Sequence, residues 1–168
     1  GSDSLATSLT LRAAIQRVGM FDLILCGRRT TDGGTGQVGP ELAALLGVPV
    51  ITNVVEFVYE DSRATMVRLL EHGSETVTCA LPAVVTLCEW SYPLRLPSLL
   101  GQRRARTIPV HTFGLNELGL EQDSCGLRGS PTRVVKLYDL TSKSRQCETS
   151  PDVAAGINTI LQEIKARR

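Results

Sequence analysis

Asp32-Gly33-Gly34-Thr35-Gly36-Gln37 puts three glycines, a carboxylate and a hydroxyl into six residues, with an apolar run before it and a helical pattern after it. Leu23-Ile24-Leu25-Cys26 reads as a short strand buried on both faces, and Gly27 ends it. Val38, Leu42, Leu45 and Leu46 fall at helical spacing, and Gly47 with Pro49 stops that helix. The order is therefore strand, glycine-rich loop, helix. It brings unpaired backbone N–H groups and the positive end of a helix dipole to the carboxyl edge of a sheet. Glycines let a ligand approach that backbone closely. The chemistry this suits is the binding of a phosphate or pyrophosphate. The N–H groups of Gly33 to Gln37 are the expected donors, with the Thr35 hydroxyl beside them.

The run is neither G-x-G-x-x-G nor G-x-x-x-x-G-K-[ST], so neither the dinucleotide fingerprint nor the P-loop applies. A tight strand-to-helix turn with no ligand would also use Asp32, Gly33 and Gly34. The residues alone leave both readings open. No Ser-His-Asp set, metal cluster or paired acid and base stands out, so no catalytic residue and no metal is expected.

Charge and composition narrow the class. A net charge of +1 makes no electrostatic case for nucleic acid or an anionic membrane. No apolar run is long enough to span a bilayer, and no signal peptide is visible. Aromatic residues are only 4% of the 168, so aliphatic side chains must fill the core. Five cysteines, Cys26, Cys79, Cys88, Cys125 and Cys147, include no C-x-x-C pair, which argues against a disulfide framework or a zinc site. Cys26, Cys79 and Cys88 read as small buried hydrophobes, in a reducing compartment. His111 has no Cys or His at ligand spacing and reads as structural.

The elements that position the loop follow from periodicity. Asp3 or Ser4 caps a first helix with Leu5, Leu9 and Ala13 on its apolar face, ended by Gly19. Val48 to Val55 is β-branched and suits a parallel strand next to the first one, reached through the helix in a right-handed βαβ unit. Arg63 to Leu70 and Glu75 to Ala80 alternate around His72-Gly73-Ser74, a hairpin signal. Ala83 to Leu87 reads as a buried strand. Glu89 to Leu96 is irregular and carries Trp90 and Tyr92, and Ser98 to Arg106 reads as a basic helix. Residues 115–129 read as a linker, Arg133 to Tyr138 as a strand and Pro151 to Lys165 as a helix.

DLILCGRRTTDGGTGQVGPELAALLGVP closely resembles the nucleotide-binding segment of the electron-transfer flavoprotein beta subunit. GSDSLATSLTLRAAI, LPAVVTLCEWSYPLRLPSLLGQRRAR and GSPTRVVKLYDLTSKSRQCE resemble the same family, in the same order. The resemblance implies an α/β fold: a Rossmann-like, adenine-nucleotide alpha-hydrolase-like parallel sheet with an antiparallel hairpin, plus a C-terminal wrapping arm. Residues 1–114 would form a partial nucleotide-binding domain, with a recognition loop at 88–101. Residues 115–168 would be the linker and the arm that packs on the alpha subunit. Family members carry further strands before the point where this chain begins, so it resembles an N-terminally truncated piece.

The resemblance also implies a site. The nucleotide would lie against Asp3, Ser4 and Thr7, against Cys26 and Gly27, and in the loop Asp32, Gly33, Gly34, Thr35, Gly36, Gln37 and Val38. It would be FAD, with AMP the alternative. Asp3-Ser4-Leu5-Ala6-Thr7 and TGQVGP resemble the electron-bifurcating branch, which holds a second flavin, and Ser4 and Thr7 lie one helical turn apart. Gly34 departs from the family, which has a second acidic residue there. Leu96-Pro97 matches the motif that inserts a leucine into a partner dehydrogenase. The implied function is a subunit, without independent catalysis, of an alpha–beta heterodimer. It would pass electrons from flavin dehydrogenases, acyl-CoA dehydrogenases among them, to a quinone oxidoreductase or low-potential carrier. The implied location is a bacterial cytoplasm or, in a eukaryote, the mitochondrial matrix. The other readings are a universal-stress-like nucleotide-binding regulatory module, and a structural subunit with an empty site.

Overall fold

The computed structural model describes residues 1–60, 63–136, 138, 149–150 and 152–166. In its first compact unit, residues 1–133, five strands form one mixed sheet in the order β1-β5-β2-β3-β4. They are β1 (Leu23–Gly27), β2 (Val50–Glu60), β3 (Arg63–Leu70), β4 (Gly73–Ala80) and β5 (Ala83–Leu87). β5 runs parallel to both β1 and β2, and β2, β3 and β4 are successively antiparallel. The protein therefore has an α/β fold in which a parallel half carries an antiparallel extension.

Two expectations about the sheet change. β2 is not the neighbour of β1, because β5 lies between them. β1 is not buried on both faces: it is an edge strand, and Leu25 is 57% exposed. The strand that is buried on both faces is β5, where Ala83, Val84, Val85 and Thr86 are all inaccessible. The hairpin forms as the alternation predicts, but it turns at Glu71-His72, since Leu70 already pairs with Gly73. Arg68 and Glu75 pair across it, Nε to Oε1 at 3.3 Å.

One side of the sheet is covered by helices. α1 (Ser4–Val18) packs against α2 (Val38–Leu46), and α2 lies on β5 and β2. Asp3 caps α1 by accepting from the Ala6 N–H at 3.0 Å, and Gly19 closes it. The buried face of α1 carries Ala6, Ser8 and Ala13, while Leu5 is exposed. Small residues there let the two helices approach. α2 ends at Gly47, whose left-handed φ of 70° fits the expected glycine stop. Opposite α2, Ile51, Val54, Ala64, Met66 and Val85 make a core cluster, joined by Leu23, Phe57 and Val77. Of the cysteines expected inside, Cys88 is buried and Cys26 and Cys79 are half-buried.

After β5, Ser98 caps α3 (Leu99–Ala105) through its hydroxyl, which accepts from the Gly101 N–H at 3.1 Å. Residues 115–129 are not a bare linker. They form α4 (Leu115–Leu118), which packs on α1, and a 3-10 turn, Gln122–Ser124. Ser130 is buried and its Oγ accepts from the Asp3 N–H at 2.9 Å, so this segment is fastened to the start of α1. The first compact unit runs through it, to Arg133. Residues 133–136 and 138 form no strand, and Leu137 lies outside the described residues.

The second unit, residues 134–168, contains α5 (Val153–Ala166). Asp152 accepts from the N–H groups of Ala154 and Ala155, both at 3.2 Å. Val153, Ile157, Ile160, Leu161 and Ile164 are all exposed along α5. No described helix is long and apolar enough to cross a membrane.

Candidate functional site

The loop from β1 to α2 is shaped by its own backbone. The Arg28 N–H donates to the Leu87 carbonyl at 3.0 Å, tying the start of the loop to the end of β5. Thr30 folds the next turn: its carbonyl accepts from the Gly34 N–H at 3.1 Å and its hydroxyl from the Gly33 N–H at 3.3 Å. Gly34 and Gly36 hold φ of 62° and 67°, the left-handed region that favours glycine. The Thr35 hydroxyl accepts from the Gln37 N–H at 3.4 Å.

These bonds sort the expected donors. The N–H groups of Gly33, Gly34 and Gln37 are used within the loop. Among the described residues, those of Thr35, Gly36 and Val38 meet no acceptor. Gln37 caps α2 without a side-chain bond, so the positive end of α2 stays open. Beside them lies a cleft of about 300 Å³. Arg28, Arg29, Gly34, Thr35 and Gly36 line it from the loop, and Thr52, Asn53 and Thr86 from the sheet. This is the carboxyl edge of the parallel strands.

The floor explains how the walls are spaced. Ile51 pairs with Val85 and Val54 with Leu87, so Thr52 and Asn53 both stand opposite Thr86. This is a bulge in β2, and Asn53 sits in it at φ 59°. The Asn53 N–H donates to the Thr86 hydroxyl at 3.1 Å. The Thr86 methyl faces Gly39 in the first turn of α2, where a Cβ would lie 2.5 Å from it. One buried threonine thus contacts both α2 and the bulge.

Charges ring the mouth. Glu89 pairs with Arg28 (3.3 Å) and Arg29 (3.7 Å). Its own backbone N–H, and then the two guanidiniums, hold its carboxyl below the usual range. Asp32 is held low first by the Thr30 hydroxyl and then by the Gly33 N–H, and it lies outside the cleft lining. Cys26 is half-buried, with burial raising its thiol pKa, and Gly27 is exposed where the loop departs.

The N-terminal residues divide. The Ser4 hydroxyl donates toward Gln37 Oε1 (3.1 Å) and Glu41 Oε1 (3.0 Å), so Ser4 reaches the start of α2. The Thr7 hydroxyl donates to the Asp3 carbonyl at 2.7 Å. Asp3 accepts from the Ala6 N–H and from the N–H and hydroxyl of Thr132, both at 2.9 Å; the Ala6 and Thr132 N–H groups hold its carboxyl low. None of Asp3, Ser4 and Thr7 lines the cleft. Leu96 is 81% exposed and Pro97 is exposed beside it, on a loop that also displays Trp90 at 98%.

Sequence reasoning missed Arg28, Arg29, Thr52, Asn53, Thr86 and Gly39. An asparagine within the β-branched run VITNVV is a bulge signal, and a glycine in the first turn of an otherwise apolar helix signals close packing.

The electron transfer flavoprotein domain model matches residues 1–118, a span that holds the sheet, the loop and the cleft. The chain belongs to the electron transfer flavoprotein family. It is 36% identical over 143 residues to the caffeyl-CoA reductase-Etf complex subunit CarD of Acetobacterium woodii, covering 85% of this chain and 55% of that protein. It is 31% identical over 150 residues to the electron transfer flavoprotein subunit beta of Megasphaera elsdenii, covering 86% and 56%. It is 33% identical over 172 residues to protein FixA of Sinorhizobium fredii, covering 98% and 60%. The chain spans little more than half the length of these relatives.

Proposed function

We propose that this chain is the nucleotide-holding part of an electron-transfer flavoprotein beta subunit, with FAD rather than AMP as the nucleotide. The observation that carries it is the cleft at the carboxyl edge, lined by two arginines and by Thr35 and Gly36, whose N–H groups meet no acceptor among the described residues, in a chain of this family. The parallel half of the sheet is then the Rossmann-like part, as in adenine-nucleotide alpha hydrolases.

The residues fit an adenine nucleotide's phosphate. Open N–H groups and a helix N-terminus supply donors, and Arg28 and Arg29 supply charge. Gly36 leaves room that a Cβ would take. Asp32, Gly33, Gly34 and Thr35 hold the turn in shape, Cys26 and Gly27 support it from β1, and Ser4 orients Gln37. A bound flavin would supply the redox chemistry, and the protein would supply binding and orientation. The described cleft suits the portion that AMP and FAD share. The preference for FAD rests on the resemblance of residues 3–7 and TGQVGP to the bifurcating branch.

The test is to purify the full-length heterodimer with its alpha subunit and count flavins. Two FAD per dimer is the expected result, and one FAD with one AMP would replace FAD by AMP here. No nucleotide in the beta subunit would remove the reading.

The wider role follows the same reading. α5 and its neighbours form an arm that packs on the alpha subunit. The Leu96-Pro97 loop docks flavin dehydrogenases, acyl-CoA dehydrogenases among them, and electrons go on to a quinone oxidoreductase or low-potential carrier. The setting is the bacterial cytoplasm or mitochondrial matrix. Interfaces of this kind depend on a few apolar anchors. Leu96→Ala should therefore slow electron transfer from the partner dehydrogenase by about 10-fold or more, with bound nucleotide unchanged. Stopped-flow rates equal to the parent's would take Leu96 out of that interface.

A further inference from the structure

The bulge in β2 holds an asparagine whose side chain nothing in the described fold uses. Asn53 lies at φ 59°, flanked from Val50 to Val55 by β-branched residues alone. Its N–H is committed to the Thr86 hydroxyl, which is 2% exposed, so its backbone is fixed from below. Its carboxamide makes no hydrogen bond among the described residues. It lines the cleft together with Arg28, Gly34 and Gly36. It also borders, again with Arg28, the adjoining cleft toward Leu70 and Cys88.

We propose that the Asn53 carboxamide is a ligand-reading group, hydrogen-bonding the nucleotide from the sheet side of the cleft while the loop holds the phosphate. This deepens the nucleotide-binding reading and rests on it. The chemistry is direct. A carboxamide offers two donors and an acceptor, so it meets a hydroxyl, a phosphate oxygen or a base edge equally well. The bulge re-aims residue 53, as bulges beside binding sites do. A half-buried amide at the wall of a cleft, with no hydrogen bond to the described protein, is free to meet a ligand there.

A purely conformational role is the competing account, because asparagine tolerates a left-handed φ better than most residues. Glycine separates the two. Asn53→Gly keeps the backbone at no steric cost and removes only the carboxamide. Asn53→Asp keeps the shape and replaces the NH2 donor with a negative charge.

The experiment is calorimetric titration of AMP and FAD into the nucleotide-stripped full-length heterodimer, for the parent and both variants, with melting curves alongside. The expected result is affinity about 10-fold weaker for Asn53→Gly, a larger loss for Asn53→Asp, and little change in melting temperature. Parent-like affinity in Asn53→Gly overturns the inference and leaves asparagine as a conformational choice. Should Asn53→Gly not fold, parent-like affinity in Asn53→Asp overturns it in the same way. A stripped parent that binds neither nucleotide overturns the nucleotide-binding reading itself, and this inference with it.

Discussion

Gly39→Val should lower the unfolding free energy by about 2 kcal/mol or more, the range of overpacking in a tight core. A Cβ at residue 39 would lie 2.5 Å from the Thr86 methyl and 3.6 Å from the Cys26 Cβ. Neither neighbour yields easily. Thr86 is β-branched and buried, and turning it would release the hydroxyl that accepts from Asn53. Valine's better helix propensity offsets only about 0.5 kcal/mol of the clash. Gly39→Ala should lose less, because alanine regains roughly 0.8–1 kcal/mol of helix propensity over glycine. Gly27→Ala is the control: a Cβ there meets nothing within 4 Å, and stability should hardly change. Denaturant titration of the full-length protein reads all three. A parent-like midpoint for Gly39→Val would mean that α2 slides freely on the sheet.

Gly36→Val should weaken nucleotide binding by at least about 10-fold, the loss expected from denying a charged oxygen one buried donor. Two effects act together. The φ of 67° is hard for a β-branched residue, and a Cβ would sit 3.3 Å from the Arg28 carbonyl. The side chain would also cover the N–H groups of Thr35 and Gly36. Gly36→Asn tolerates the backbone better and separates blocking from strain: it should melt close to the parent and still bind weakly. Titration with AMP measures both. Parent-like affinity in Gly36→Val would move the phosphate away from this loop.

How far the fold was legible depends on the kind of signal each segment carries. Arg63 to Leu70 and Glu75 to Ala80 largely alternate apolar with polar residues around a turn signal, so the hairpin was visible. The strand order was not. Leu23-Ile24-Leu25-Cys26 and Ala83-Val84-Val85-Thr86 are both short apolar runs, and nothing in such a run tells an edge from a centre. The first is the edge and the second the middle. The glycine loop was visible because Gly34 and Gly36 mark turns that other residues avoid. The sheet wall was not, because Asn53 gains its role from a register shift, which depends on the partner strand. Leu5 was expected on the buried face of α1, but that face meets another helix closely and takes Ala6, Ser8 and Ala13 instead. Residues 115–129 look polar and glycine-rich, yet they are tied down by Ser130 and α4, contacts that join residues far apart in sequence.

Thr86 has one further consequence. Its methyl meets α2 at Gly39 and its hydroxyl receives the Asn53 N–H, so one side chain ties the sheet wall of the cleft to the first turn of α2. The sheet wall of the site is thereby preorganised when the chain folds. A ligand meeting it immobilises little of the main chain there, and that entropic penalty falls on folding instead of on association. For the nucleotide proposed above, selectivity would then fall on the sheet wall, where Asn53 and Thr86 keep a spacing set by the fold.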